Sequence, residues 1–141
     1  MIISTRGKNA LKLMLDLANN NSGDLIRLKD IATRQNISEK YLEHIVSRLH
    51  KERLVESVRG KNGGYSLSFS PEQYTVGRIL RAVENNMHTA DCYGANSVPC
   101  PNKANCANYR LWARLDDAIN GVLDDITLAD MMELQTDTYV I

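Results

Sequence analysis

The 141-residue sequence predicts a mainly α-helical fold with one small β-hairpin. Two observations indicate this class. Apolar residues recur at helical spacing in six segments, whereas alternation with a period of two is confined to residues 54–69, around a glycine-rich stretch. No apolar run approaches the roughly 20 residues that a membrane helix needs, so we expect a soluble protein without a membrane partner.

The first helices follow from apolar spacing and turn residues. Residues 9–18 form a broad apolar face that ends at a polar run of asparagine, serine and glycine. A second, short helix is predicted over residues 28–36, and the Ile37 side chain is expected to be buried in the turn that follows it. Ser38 then reads as the N-cap of a helix to residue 51, whose apolar residues lie on one face. Two short helices joined by a tight turn are typical of a helix-turn-helix.

A hairpin follows these helices and carries cations at its tip. Residues 54–58 and 65–69 read as strands, and the connection contains Arg59, Lys61 and three glycines. This hairpin, called here the wing (residues 54–69), suits insertion along a DNA backbone or minor groove. The pattern therefore predicts a winged helix-turn-helix. The predicted DNA-binding residues are Ser38, Lys40, Glu43, His44, Ser47, Arg48, Lys51, Arg59 and Lys61.

The charge distribution agrees with this interpretation, and the adjacent glycine-rich basic wing favours DNA binding over a merely solvated helix face. The net charge is zero, but residues 1–70 hold 12 Lys and Arg against 7 Asp and Glu, while residues 71–141 hold 5 against 10. The first part therefore carries +5 and the second −5. A basic surface next to an exposed polar helix face is what double-stranded DNA requires.

The second half of the chain predicts two more functional parts. Thr75 caps a helix to about Val83, and a long amphipathic helix covers residues 111–124, before a final short helix from Thr127. The long helix lies outside the predicted winged-helix core, so a second copy of itself is the simplest partner for its apolar stripe. We expect a homodimer. The predicted division is a winged-helix region (1–74), a helix and cysteine loop (75–107), and a dimerisation helix with the C-terminal helix (108–141).

All three cysteines, Cys92, Cys100 and Cys106, fall in one polar stretch, called here the cysteine loop (residues 87–108). Three soft thiol ligands around a metal would order a loop that has few apolar residues to bury. Structural zinc, a thiol-redox switch and incidental thiols are the alternatives. An odd number argues against a closed disulfide framework, and the polar start of the chain predicts no signal peptide. We therefore expect a cytoplasmic protein with reduced thiols.

Taken together, the chain resembles the winged-helix bacterial transcription regulators that include the iron-sulfur cluster regulator IscR, the nitric-oxide sensor NsrR and the cysteine-metabolism repressor CymR. The similarity covers nearly the whole chain. It is carried by residues 4–7, 37–43, 57–60, 63–65, 75–77, 111–112 and 126–128, and by the three cysteines. CymR-like members lack those cysteines, so the chain looks more like the IscR and NsrR branch.

The resemblance implies a dimeric repressor that binds a pseudo-palindromic operator and holds an iron-sulfur cluster on the three cysteines, with [2Fe-2S] favoured over [4Fe-4S]. Such a cluster would report iron-sulfur, oxidant or nitric-oxide status. IscR-like members often carry a histidine three residues after the third cysteine, where this chain has Tyr109. The fourth ligand therefore stays open among Tyr109, His88 and Asp91.

Two other functions stay open. The first is a cluster-free repressor of cysteine or sulfur metabolism, controlled by thiol redox chemistry or by a partner protein. The second is a small metal-binding redox or cluster-transfer protein whose winged helix serves protein contacts. An enzyme is not expected, because the sequence has no catalytic triad, paired-carboxylate or phosphate-loop signature.

Overall fold

The computed structural model describes residues 3–92 and 100–137, and it confirms the predicted mainly helical class with one hairpin. None of the described helices is long and apolar enough to cross a membrane. The elements are α1 (Thr5–Asn19), α2 (Leu28–Gln35), α3 (Glu39–Lys51), β1 (Val55–Val58), β2 (Gly64–Leu67), α4 (Val76–Val83), α5 (Ala107–Asp125) and α6 (Leu128–Asp137), with short 3₁₀ turns at Pro71–Gln73 and Lys103–Asn105.

Helix α1 begins four residues earlier than its apolar pattern predicts. The Ser4 hydroxyl accepts a hydrogen bond from the Gly7 amide and so caps the first turn. The Glu84 carboxylate, at the end of α4, in turn accepts hydrogen bonds from the Ser4 amide and hydroxyl. The cap is therefore stabilised by a tertiary contact that a search for helical spacing does not detect.

The turn between α2 and α3 has the predicted geometry. Asn36 adopts the left-handed conformation with φ of 53°, which a short polar side chain tolerates well. Ile37 packs partly buried against the core, and the Ser38 hydroxyl caps α3 by accepting from the Tyr41 amide at 3.1 Å. These features confirm the predicted helix-turn-helix geometry.

The wing is an antiparallel ladder that pairs Val55 with Leu67 and Val58 with Gly64. Each strand is shorter than predicted. The second ends at Leu67 because the Phe69 amide leaves the ladder and donates to the Tyr74 hydroxyl at 3.0 Å. That hydroxyl donates to the Leu54 carbonyl at 2.6 Å, and Tyr74 is fully buried. Tyr74 therefore locks the base of the wing, whereas the sequence indicated only a residue in the exit turn.

The main hydrophobic core joins both halves of the chain, and Val76, Leu80 and Met87 form a second, smaller cluster. Helices α1, α2 and α3 supply most of it, and α6 adds the fully buried Leu128. Asp16 is also buried, where its carboxylate accepts two hydrogen bonds from Arg34 and one from Gln35. This pairing satisfies a carboxylate that would otherwise be costly to bury, and it ties α1 to α2.

Helix α5 exposes several large apolar side chains to solvent. Leu111, Leu115 and Val122 are exposed by 54%, 42% and 58%. Its one buried residue is Asp116. The helix therefore keeps an apolar stripe on the outside of the single chain.

Candidate nucleic-acid interface and cysteine loop

Helix α3 separates an apolar face from a polar one, as predicted. Leu42, Ile45, Val46 and Leu49 are buried against the core. The predicted DNA-binding residues on the other face are exposed, namely Ser38, Lys40, Glu43, His44, Ser47 and Lys51. Because the apolar face packs against the core, this polar face points away from it and is available to a large ligand.

A groove runs between α3 and the wing. It is lined on the α3 side by Glu43, Ser47 and His50, and on the wing side by Ser57 and Arg59. The fold thus brings three predicted residues, Glu43 and Ser47 from α3 and Arg59 from the wing, to one surface. His50, one turn beyond Ser47 on the same face, also lines the groove, consistent with its expected place on a DNA-facing or solvated side of the helix. Lys61 is exposed nearer the tip of the wing.

Arg48 makes contacts that its prediction as a phosphate ligand did not anticipate. Its Nη1 donates to the Val83 carbonyl at 2.8 Å and to the Asn85 side-chain oxygen at 3.1 Å. The Val83 carbonyl belongs to the last turn of α4, where a cation complements the helix dipole. Arg48 therefore connects α3 with the segment that leads into the cysteine loop.

The three cysteines form no disulfide and are accessible to different degrees. Cys92 and Cys106 are half-buried, and Cys100 is exposed. Residues 93–99 lie outside the described residues. Within residues 3–92 and 100–137, no three His, Cys, Asp or Glu side chains are arranged to hold a metal ion. The donor set suits an iron-sulfur cluster, because thiolates are its ordinary ligands, but the thiols would have to be drawn together on binding.

The start of the cysteine loop is attached to the middle of α5. Nδ1 of His88 lies 2.8 Å from Oδ2 of Asp116, and the Thr89 amide donates to Oδ1 of the same carboxylate at 2.8 Å. Burial by itself would raise the pKa of Asp116, but the hydrogen bonds with His88 and Thr89 outweigh it and lower the pKa. The carboxylate is therefore charged at neutral pH. The sequence predicted His88 as a loop residue or a ligand, and its contact with Asp116 was not predicted.

The other end of the loop leads directly into α5. Cys106 occupies the N-cap position, so residues 107 and 108 of the predicted loop are helical. Tyr109 is half-buried in the first turn, and the Lys103 ammonium lies 5.0 Å from the centre of its ring. Asp91 is exposed beside Cys92. The candidate fourth ligands thus lie on both sides of the loop, and His88 is the one whose ring is held by a buried carboxylate.

Comparison with known proteins identifies the family. The Rrf2 family, described as an iron-dependent transcriptional regulator, matches residues 3–134. The chain belongs to the Rrf2 family. Among its relatives, the transcriptional regulator IscR of Cronobacter sakazakii is 38% identical over 135 residues, which cover 96% of this chain and 82% of the relative.

Solved structures of Rrf2-type regulators share the fold. CymR, the global cysteine regulator of B. subtilis, superposes with a TM-score of 0.76 at 36% identity and covers 95% of this chain and 98% of its own. IscR of T. potens superposes with a TM-score of 0.74 at 36% identity, over 94% and 87%. These findings confirm the predicted resemblance and the winged-helix fold. Because the relatives are named as transcriptional regulators, this Rrf2 protein is a DNA-binding regulator and not an enzyme.

Proposed function

We propose that this Rrf2 protein is a cytoplasmic, homodimeric repressor that binds a pseudo-palindromic operator and carries an iron-sulfur cluster on Cys92, Cys100 and Cys106. The groove between α3 and the wing is the observation that carries the DNA half of this proposal. Helix α3 would enter the major groove, and the wing would lie along the backbone or minor groove. Two copies related by a twofold axis would read two half-sites.

Base contacts and phosphate contacts would come from different parts of this surface. Ser38, Lys40, Glu43, His44 and Ser47 are placed to reach base edges, since they occupy the exposed face of α3. Lys51, Arg59 and Lys61 would bind phosphates or the minor groove. Arg48 would act mainly by holding α3 against α4, because its guanidinium donates to the Val83 carbonyl.

The exposed stripe of α5 supports the dimer. Leu111, Leu115 and Val122 form an apolar surface that a monomer would leave in water. Pairing two α5 helices would cover it in the isologous arrangement that a twofold operator requires. The N-terminus of α5 would then place each cysteine loop beside the dimer interface.

The thiols and their surroundings support a sensing role for the cluster. Three accessible cysteines in one loop suit a soft metal centre, and the cluster would supply reactivity toward oxidants, nitric oxide or iron loss. Asp116 would hold the start of the loop through His88 and Thr89. Arg48 would link the end of α4 to α3, so rearrangement of the loop has a physical route to the DNA-binding helix.

The experiment that tests the cluster is anaerobic purification of the wild type and of Cys100→Ala, followed by absorbance spectra and assays of iron and acid-labile sulfide. Visible charge-transfer bands with bound iron and sulfide are expected in the wild type and are expected to disappear in the variant. The iron-to-sulfide ratio and the spectrum also test the preference for [2Fe-2S]. A colourless, iron-free wild type would contradict the cluster.

A second function is favoured by one specific pair of observations. CymR, named as a global cysteine regulator, shares the fold, and the described part of this chain does not gather the three thiols. A cluster-free repressor of cysteine or sulfur metabolism would have the fold shared with CymR and would not need the three thiols to be gathered. It predicts a colourless protein whose DNA affinity changes on thiol oxidation or on addition of a partner protein, but not with iron.

A further inference from the structure

The wing is attached to the helix-turn-helix at two levels by the residues that precede α2. At the end of the ladder next to its tip, Ile26 and Tyr65 exchange two backbone hydrogen bonds of 2.9 and 2.7 Å. Gly64 allows this approach, since a Cβ at that position would lie 2.7 Å from the Ile26 carbonyl oxygen. At its tip, Nη2 of Arg27 donates to the Lys61 carbonyl at 2.7 Å. The tip of the wing is therefore held by an arginine from outside the hairpin.

This hydrogen bond brings a third cation to the tip. Arg59 and Lys61 belong to the wing, whereas Arg27 is the N-cap residue of α2, and all three side chains are exposed. A guanidinium has several N–H donors in a planar fork, so one can bind a carbonyl while others bind an anion. The anion favoured here is a DNA phosphate, because the first helix of a helix-turn-helix crosses the DNA backbone and its N-terminus has a positive dipole end.

We propose that Arg27 is a DNA-phosphate ligand that also positions the tip of the wing, and so joins the helix-turn-helix and the wing into one backbone-binding surface. The inference rests on the proposed DNA-binding surface and adds to it a residue outside both α3 and the wing. Arg27 would contribute to affinity for any DNA sequence rather than to base preference, because a phosphate carries no sequence information.

The test measures DNA affinity between about 50 and 200 mM salt for the wild type, Arg27→Gln and Arg27→Lys, with a labelled duplex that the full-length wild type selects from a random pool. Removing one phosphate ligand from each protomer is expected to reduce the log-log salt slope by about 0.9 per site, hence by about 1.8 for a dimer. Arg27→Gln is expected to show this reduction, and Arg27→Lys is expected to keep the wild-type slope. Lys12→Gln, which removes an exposed cation from α1, is the matched control and is also expected to keep the wild-type salt slope.

A second measurement reports on positioning. Hydrogen exchange of the Gly63 amide, which donates to the Gly60 carbonyl within the tip, is expected to be faster in Arg27→Gln than in the wild type. An unchanged slope in Arg27→Gln, or an equal fall in slope in Lys12→Gln, would overturn the phosphate role. A wild type whose DNA binding does not respond to salt would instead overturn the proposed DNA-binding surface, so the two failures are distinguishable.

Discussion

The carboxylate of Asp116, in the middle of α5, lies 2.8 Å from Nδ1 of His88 at the start of the cysteine loop. The same carboxylate accepts from the Thr89 amide, and only 1% of Asp116 is exposed. A buried carboxylate with two specific partners is a strong constraint, because leaving either partner unsatisfied costs free energy. The loop that carries the thiols is therefore attached to the helix proposed to form the dimer.

Asp116→Asn is expected to loosen this attachment. The amide side chain cannot replace the charged acceptor for both His88 and Thr89, so the free energy of unfolding should fall by about 1–3 kcal/mol. Urea denaturation measures the decrease in unfolding free energy. Faster hydrogen exchange of the Thr89 amide would show that its hydrogen bond to residue 116 is weakened. Asp117→Asn is the matched control, since Asp117 is the exposed neighbour on the same helix. Equal stability of the two variants would contradict the role of Asp116.

Tyr74→Phe is expected to lower stability and to change its dependence on alkaline pH. Burial raises the pKa of Tyr74, although its hydrogen bonds and Arg78 act in the opposite direction. Because the pKa of Tyr74 is higher in the folded than in the unfolded state, its neutral phenol stabilises the fold fully below the unfolded-state pKa of about 10. This stabilisation is lost as the pH rises through the folded-state pKa. The variant should lose about 1–2 kcal/mol at pH 7.

The measurement for Tyr74 is the difference in unfolding free energy between the wild type and Tyr74→Phe from pH 7 to pH 11. This difference should shrink above pH 10, because the wild type alone loses the contribution of the neutral buried phenol. Tyr41→Phe, at a half-buried tyrosine on α3, provides the comparison. A difference that stays constant across this range would show that Tyr74 does not control the alkaline loss of stability.

Glu43→Ala is expected to relax base preference more than it lowers affinity. Glu43 is exposed on α3 and lines the groove to the wing, where a carboxylate accepts from a cytosine amino group but repels misplaced phosphates. Selection of binding sites from random DNA measures the effect. The control is Glu56→Ala, which removes an exposed carboxylate from β1. An unchanged site preference in Glu43→Ala would refute the selective role.

Arg59→Ala is expected to weaken binding to all DNA sequences and to lower the salt slope. Arg59 is exposed on the wing side of the same groove, so the weaker binding should reflect fewer released counterions. Titrations with operator and random duplexes at several salt concentrations measure both quantities. Arg59→Lys keeps the charge and should keep the slope. A wild-type slope in Arg59→Ala would remove Arg59 from the phosphate contacts.

Leu115→Glu is expected to convert the proposed dimer to a monomer and to weaken operator binding strongly. The substitution places a charge in the apolar stripe of α5, where a second copy would have to desolvate it. Sedimentation equilibrium measures the oligomeric state. Leu134→Glu, at an exposed leucine on α6, is the control for a charge placed elsewhere on the surface. If Leu115→Glu remains dimeric, the α5 stripe is not the interface.

Helical spacing and capping residues predicted much of the fold because both act between neighbours in the chain. Ser38 caps α3 and Thr75 caps α4, as expected. Thr127 and Asp130 exchange hydrogen bonds at the start of α6, where that helix was predicted to begin. Two of the boundaries that were wrong, the start of α1 and the end of β2, depend on side chains outside the element, those of Glu84 and Tyr74.

The sequence by itself determined the order of the helices, the apolar and polar faces of α3, the cationic wing and the single loop with all three thiols. These properties depend on residue type and local spacing. Only the tertiary structure decided that Arg48 would bind the end of α4, that Arg27 would hold the tip of the wing and that Asp116 would hold His88. Such pairs form because folding brings distant polar groups to the same place, where burial or proximity requires that their hydrogen bonds be satisfied.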